Sequence, residues 1–335
     1  MSIRSLARAL AGLGLCAALA AHAAPYTRMV VIGDSLSDSG NNALLLAQAY
    51  GGTVPPVVIS DNQFYSKLTS DAGTYSNGKV WTQYLAETLG VGLAPSMAGG
   101  GNYAYGGAQT GLNGNETPDG FPYSMTTQLG WYLNNPTTVI DPNGLYVVAG
   151  GGNNVRVALE ALAANPALDP AAVFAATVAG YVSDMATMVG TLRGLGAQHV
   201  LVLNTPDFGL TPMVRGITPV ADAATQLSAA MNAGLGQALA PTGATVFDMF
   251  GFLHEAVASN VFDNVTDACG AAVNNCSVDT ALFWDAIHPT TLGHAQLAAA
   301  VARVIPLPEP DMAALIAVGL FAALGARRRA ARQQR

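Results

Sequence analysis

Short, largely apolar runs of strand length recur along this chain between longer segments with helical spacing, and no other feature limits the fold so strongly. Thr27 to Ile32, ending at Gly33, is the first run; Leu145 to Ala149, His199 to Leu203 and Thr245 to Asp248 follow. Helical periodicity predicts helices over Val80 to Leu89, Ala171 to Leu195, Thr218 to Leu239, Phe250 to Ala258 and Thr291 to Val304. Largely apolar strands that alternate with helices pair in parallel, in a helix-covered sheet. In such α/β sheets ligands bind beyond the carboxyl ends of the strands, near a switch in strand order. Three long polar loops, Gly51 to Ser76, Gly111 to Tyr123 and Asn260 to Thr280, interrupt the alternation. Loops of that length inside a compact domain are usually functional or disordered, and these are expected to roof a substrate cleft.

Both ends of the chain read as sorting segments. Residues 1–23 combine basic Arg4 and Arg8, the apolar "ALAGLGLCAALA" and a small-x-small site at Ala21-His22-Ala23, the layout of a secretory signal. After "VIPLPEP", Met312 to Ala326 is apolar and is followed by Arg327, Arg328, Arg329, Arg332 and Arg335. Fifteen apolar residues are short for a spanning helix but do not exclude one; the arginines would stay on the cytoplasmic side, and the tail would anchor the chain in the inner membrane, transiently if it is processed and lastingly if it is a simple anchor. The expected division is therefore 1–23 signal, 24–305 folded domain and 306–335 tail. Seven of the 14 Lys and Arg lie in residues 1–23 and 312–335, against none of the 21 Asp and Glu, which leaves the remainder at net −14. So acidic a body repels nucleic acid and anionic membranes. Of the three cysteines Cys16 lies in the signal; Cys269 and Cys276 flank "GAAVNN" and, in an exported protein, are expected to pair. Two cysteines cannot make a tetrahedral zinc site, and no histidine pair has the usual spacing, so neither metal nor cofactor is expected.

The chemistry clusters after strands. "GDSLSDSGN" places Ser35 two residues past Gly33, at a strand-to-helix turn where its backbone N–H would face developing negative charge. Ser37 and Ser39 fall where a helix should already have begun, and read as capping or turn residues. A serine hydroxyl needs a base. "FWDAIHPTTLGH" supplies Asp285 and His288 three residues apart on one loop, so that a carboxylate can fix the imidazole tautomer. His199, His254 and His294 have no carboxylate at such spacing and read as structural. Two glycine-rich turns, "GGGNYAYGGAQ" with Gly106 and Gly107 and "VVAGGGNNV" with Asn153 and Asn154, could supply oxyanion donors, although either alone reads equally as a loop needing positive φ.

Taken in order, "GDSLSDSGN", "NYAYGGA", "GGGNN" and "DAIHP" resemble the sequence blocks of the SGNH/GDSL hydrolases, between Gly33 and His294. "WTQYLA" and "LNTPDFGLTP" resemble the secreted lipase and phospholipase-like branch. The resemblance implies a three-layer α/β/α sandwich with a mainly parallel, flavodoxin-like sheet. It implies Ser35 as nucleophile, His288 as base and Asp285 as its orienter. The oxyanion hole would be the N–H of Ser35, the N–H of Gly107, preferred to Gly106 by its distance from Asn102, and the side chain of Asn153. Asn154 stands where the family usually has aspartate, which is expected to tune the site. The tail, with Pro308-Glu309-Pro310, an apolar stretch and arginines, resembles a PEP-CTERM sorting signal. That likeness implies an exosortase as processing partner and a surface location in a Gram-negative bacterium, beside exopolysaccharide. The implied activity is ester hydrolysis through an acyl-enzyme, on lipid or small acyl esters; the alternatives are exopolysaccharide O-deacetylation and a catalytically silent glycan-binding surface protein.

Overall fold

The computed structural model describes residues 26–306. The expected signal, residues 1–23, and all but Pro306 of the expected tail, residues 306–335, lie outside the described residues, as do Cys16 and His22. The elements run β1 (Met29–Gly33), α1 (Asn41–Ala49), α2 (Trp81–Leu89), α3 (Met125–Asn134), β2 (Leu145–Ala149), α4 (Gly152–Ala164), α5 (Pro170–Gly194), β3 (His199–Leu203), α6 (Thr218–Leu239), β4 (Thr245–Phe247), α7 (Met249–Ala258), β5 (Asn264–Ala268), β6 (Ala281–Phe283) and α8 (Thr291–Ala302).

Strands β1 to β4 form one parallel sheet in that order, with Met29 opposite Leu145 and Leu145 opposite His199. β1 and β2 are buried at every position, so both faces are covered. Side chains alternate across a strand. Val30, Ile32, Tyr146, Val148, Val200 and Val202 share a core with α3, α4, α5 and α6, through Met125, Val155, Met185 and Met231 among others. Met29, Val31, Leu145, Val147 and Leu201 point the other way and are equally buried. α2 and α8 pack on each other and bury Trp81, Leu85, Leu297 and Val301. The α/β fold class is the one expected. α5 is long and apolar enough to cross a membrane, yet its Tyr181, Met185, Met188 and Leu192 lie in the core.

Outside β1 runs the segment 101–105. Val31 N–H donates to Gly101 O (3.0 Å), Tyr103 N–H to Val31 O (2.8 Å) and Tyr105 N–H to Gly33 O (3.2 Å), a short parallel pairing. The chain thus leaves β1 toward one edge, returns to pair β2 on its other side, and continues through β3 and β4. The order reverses at β1, which makes its carboxyl end the switch point where ligands bind.

Three sequence expectations change. No helix has begun at Ser37. Asp38 accepts the N–H groups of Gly40, Asn41 and Asn42 (2.7–3.1 Å), so α1 starts only at Asn41 and residues 34–38 form a closed turn. Ser35 therefore sits on a turn, not at a helix N-terminus. Helices α3 and α4 stand where the sequence analysis expects no helix. Finally, the segment Asn260 to Thr280 does not line the cleft. It contains β5 and a turn of helix, carries the Cys269–Cys276 disulfide, and packs Ala268 and Ala271 on Ile59, Tyr75 and Trp284. Cys269 and Gly270 donate backbone hydrogen bonds to Phe283 O and Trp284 O, so this segment braces the strand that leads into Asp285.

Candidate active site

Ser35, Gly107 and Asn153 each follow one of three adjacent strand positions at the switch point, and the loop of Asp285 and His288 closes over them. Ser35 Oγ lies 2.8 Å from His288 Nε2, and His288 Nδ1 lies 2.8 Å from Asp285 Oδ2. All three residues are buried, at 6%, 2% and 0% exposure. The local spacing does its own work: Asp285 Oδ1 accepts the N–H of Ile287 (2.9 Å) and of His288 (2.7 Å), which folds the loop so that Oδ2 meets the ring. Oδ2 also accepts Ser66 N–H at 2.8 Å, from the first long loop. Thr290 caps α8 directly behind (Oγ1 to Gly293 N–H, 3.2 Å), which fixes where the loop ends.

A tetrahedral oxyanion needs donors aimed at one point. Gly106 cannot be one, because its N–H is held by Asn42 Oδ1 (3.2 Å) and Asp38 Oδ2 (3.4 Å). The N–H groups of Gly107 and Ser35 have no acceptor among the described residues, and both residues line the cleft. Gly107 has φ +82°, and a Cβ there would sit 2.7 Å from Pro122 Cγ, so only glycine presents this amide. Asn153 Nδ2 gives one hydrogen to Ala108 O (3.0 Å) and keeps the other for the cleft. Asn154 Oδ1 accepts Thr110 N–H (3.2 Å), and its Nδ2 donates to Thr110 Oγ1 (3.0 Å). Thr110 in turn gives its proton to Asp184 (2.7 Å). That hydroxyl can only accept from residue 154, which an amide satisfies and a carboxylate would not.

Several residues that hold the site escaped the sequence reading. Gln128, on α3, clamps the end of β1 with both amide atoms, to Gly33 N–H and Gly33 O at 2.9 Å each. Tyr75 stacks on the His288 ring (centroids 5.2 Å apart, 29° between planes) and contacts Asn42 Nδ2 at 2.6 Å. Arg156, three residues after Asn153 on α4, donates to Asn153 Oδ1. Burial pushes the carboxyls of Asp34 and Asp38, which frame the nucleophile's turn, up to about 6. Burial likewise raises the Tyr75 phenol well above its usual range.

The other histidines stand apart from the cleft. His294 is buried on α8 with neither ring nitrogen hydrogen-bonded among the described residues, and burial lowers it to about 3. His254 does have a carboxylate, which the sequence did not reveal: Nε2 lies 2.8 Å from Asp207 Oδ2, 47 residues away in the chain. Among the described residues, no group of three or more His, Cys, Asp or Glu is placed to hold a metal ion.

The cleft is lined by Tyr65, Ser66 and Lys67 of the first long loop and by Glu116, Phe121 and Pro122 of the second, with Lys67 Nζ and Glu116 Oε1 paired across it at 2.8 Å. Next to it, sharing Tyr65, Ser66 and Lys67, is a trough of about 400 Å³ walled by Val57, Val58, Phe64 and Leu68.

Comparison with known proteins places this arrangement. Lipase 1 of Photorhabdus luminescens is 31% identical over 58% of this chain and 24% of its own length. Esterase EstA of Pseudomonas aeruginosa is 27% identical over 89% of this chain and 50% of its own. The chain thus spans between a quarter and a half of these relatives. A solved lipase from a goat rumen metagenome superposes with a TM-score of 0.47 at 14% identity, over 83% of this chain and 96% of that one. The pattern of GDSL-like lipases and acylhydrolases matches residues 29–301, from the first residue of β1 almost to the end of α8 and across every segment that meets at Ser35, and the chain belongs to that family.

Proposed function

We propose that the protein hydrolyses carboxylic esters through an acyl-enzyme on Ser35. The observation that carries this reading is the unbroken chain from Ser35 Oγ through His288 to Asp285, 2.8 Å at each step, beside three uncommitted N–H donors. His288 takes the Ser35 proton as Oγ attacks the carbonyl carbon. The carbonyl oxygen, now an anion, rests on the N–H groups of Ser35, Gly107 and Asn153. Asp285 holds Nδ1 protonated and stabilises the imidazolium. His288 then protonates the leaving alcohol, and afterwards deprotonates the water that releases the acid.

For the substrate, the trough beside the cleft favours an acyl chain over an acetyl group, since its wall is mostly aliphatic and aromatic. The end segments support export and a surface location: a signal-like start, then Pro308-Glu309-Pro310, an apolar stretch and five arginines, of the kind an exosortase would process near exopolysaccharide. The test is hydrolysis of p-nitrophenyl esters from acetate to palmitate, with acetylated oligosaccharide alongside and Ser35→Ala as control. A Ser35-dependent optimum at medium or long chains is expected. Acetate release from the sugar alone would make the protein a deacetylase instead. A folded protein that neither turns over an ester nor takes up a fluorophosphonate at Ser35 would be a binding protein.

A further inference from the structure

Arg156 is one of only seven cationic side chains outside the two end segments, and it lies in the wall of the cleft. Its side chain is 12% exposed and is held on three sides. Glu160, one turn further along α4, binds Nη1 through both oxygens (2.8 and 3.0 Å). Tyr65 accepts from Nη1 at its hydroxyl (3.1 Å), and its ring lies 5.0 Å from the guanidinium carbon. Nε and Nη2 are then aimed at one atom, Asn153 Oδ1, at 3.2 and 3.1 Å.

We infer that Arg156 is a positioning residue for the oxyanion hole, acting through Asn153; this rests on the proposed role of Asn153 as a donor. An asparagine amide has one oxygen with two lone pairs and two N–H bonds. Arg156 occupies the oxygen with a fork of two charge-assisted bonds, and Ala108 O takes one hydrogen. Turning the amide over would set its NH₂ against the guanidinium and its oxygen against Ala108 O, two like-against-like contacts. The remaining N–H therefore has one direction, into the cleft. The guanidinium also withdraws density from the amide oxygen, which makes that N–H a stronger donor when negative charge appears. Since such an interaction strengthens only in the transition state, it acts on kcat and not on KM. The clamp also links the first long loop to the chemistry, because Tyr65, itself in the wall of the cleft, holds Arg156.

The test compares Arg156→Gln and Arg156→Lys with the parent in three readouts: kcat and KM on a p-nitrophenyl ester, the rate at which a fluorophosphonate labels Ser35, and the thermal midpoint. Labelling passes through an anionic phosphorus centre that uses the same donors, so it reports on the hole without a known substrate. Arg156→Gln is expected to lower kcat and the labelling rate together by about 10- to 100-fold, with KM within about twofold. Arg156→Lys keeps the charge but not the fork, and is expected to recover part of that loss. If Arg156→Gln does not fold, Arg156→Lys carries the test alone, with a loss of about fivefold in labelling at an unchanged midpoint. The inference is overturned if labelling and kcat match the parent, or if KM rises alone, which would make Arg156 a substrate contact. A parent protein that is folded yet never labelled would remove the esterase reading itself, a result distinct from either.

Discussion

Replacing Asp285 by asparagine separates the two jobs this side chain does. The carboxylate accepts four N–H bonds: Ile287 and His288 backbone on Oδ1, Ser66 backbone and His288 Nδ1 on Oδ2. An amide oxygen can keep only two of them. If it keeps the two that fold its own loop, the new NH₂ faces Ser66 N–H and the imidazole. The imidazole can adapt by moving its proton to Nε2, but Nε2–H then points at Ser35 Oγ and can no longer accept its proton. The expected loss in kcat is about 10⁴-fold, or roughly 5.5 kcal/mol of barrier. Ser66 N–H cannot adapt. A buried donor facing a donor costs about 1–3 kcal/mol of stability, and roughly 2–4 °C in Tm for each kcal/mol in a domain of this size. Both are measurable on one sample, by initial rates on a p-nitrophenyl ester and by a thermal melt. The reasoning would be refuted by an Asp285→Asn protein with kcat within tenfold of the parent. A lowered Tm with unchanged kcat would mean that Asp285 only braces the loop to Ser66.

Two further outcomes follow from the same geometry. Gly107→Ala should lower kcat by about 10²-fold or more, since φ +82° and the 2.7 Å approach of Pro122 force the donor amide out of place; a Gly107→Ala enzyme at parental rate would remove that amide from the oxyanion hole. Acid sensitivity should divide by residue. His294, lowered to about 3, leaves the folded state binding fewer protons than the unfolded chain below about 6.5, so its contribution to stability is lost as pH falls, by about 1.4 kcal/mol per unit. Asp34 and Asp38, raised to about 6 from 3.8, act oppositely: their protonated forms favour the fold below about 4, and that stability is lost as pH rises through 6. Urea unfolding of His294→Leu at pH 7, 5 and 4 should therefore show it gaining on the parent as pH falls; parallel curves would mean the ring is not held neutral.

How far the sequence revealed all this depends on the reach of each interaction. The four sheet strands were legible because strands of a helix-covered parallel sheet are largely apolar runs, "LYVVA" most clearly. The Asp285–His288 pair was legible because its hydrogen bonds close within three residues. α3 was hidden by its composition: "MTTQLGWYLN" is rich in weak helix formers and is held in place by long-range contacts such as that of Gln128 with Gly33. α4 was masked differently. "VRVALEALAA" has sound helical spacing, but the glycines that open the helix read as a loop, and with the helix went the one clue to Arg156, its place three residues after Asn153 and four before Glu160. The early helix expected at Ser37 failed because Asp38 took the N–H groups of residues 40–42 for itself, a local competition that spacing cannot weigh. The remaining supports pair residues far apart in the chain: Ser66 with Asp285, Tyr75 with Asn42, Tyr65 with Arg156. All three begin in the polar loop of residues 51–76, whose sequence has no periodicity to read. The chemistry is thus written in short motifs at strand ends, while its positioning is written in a loop whose meaning exists only once the chain has closed.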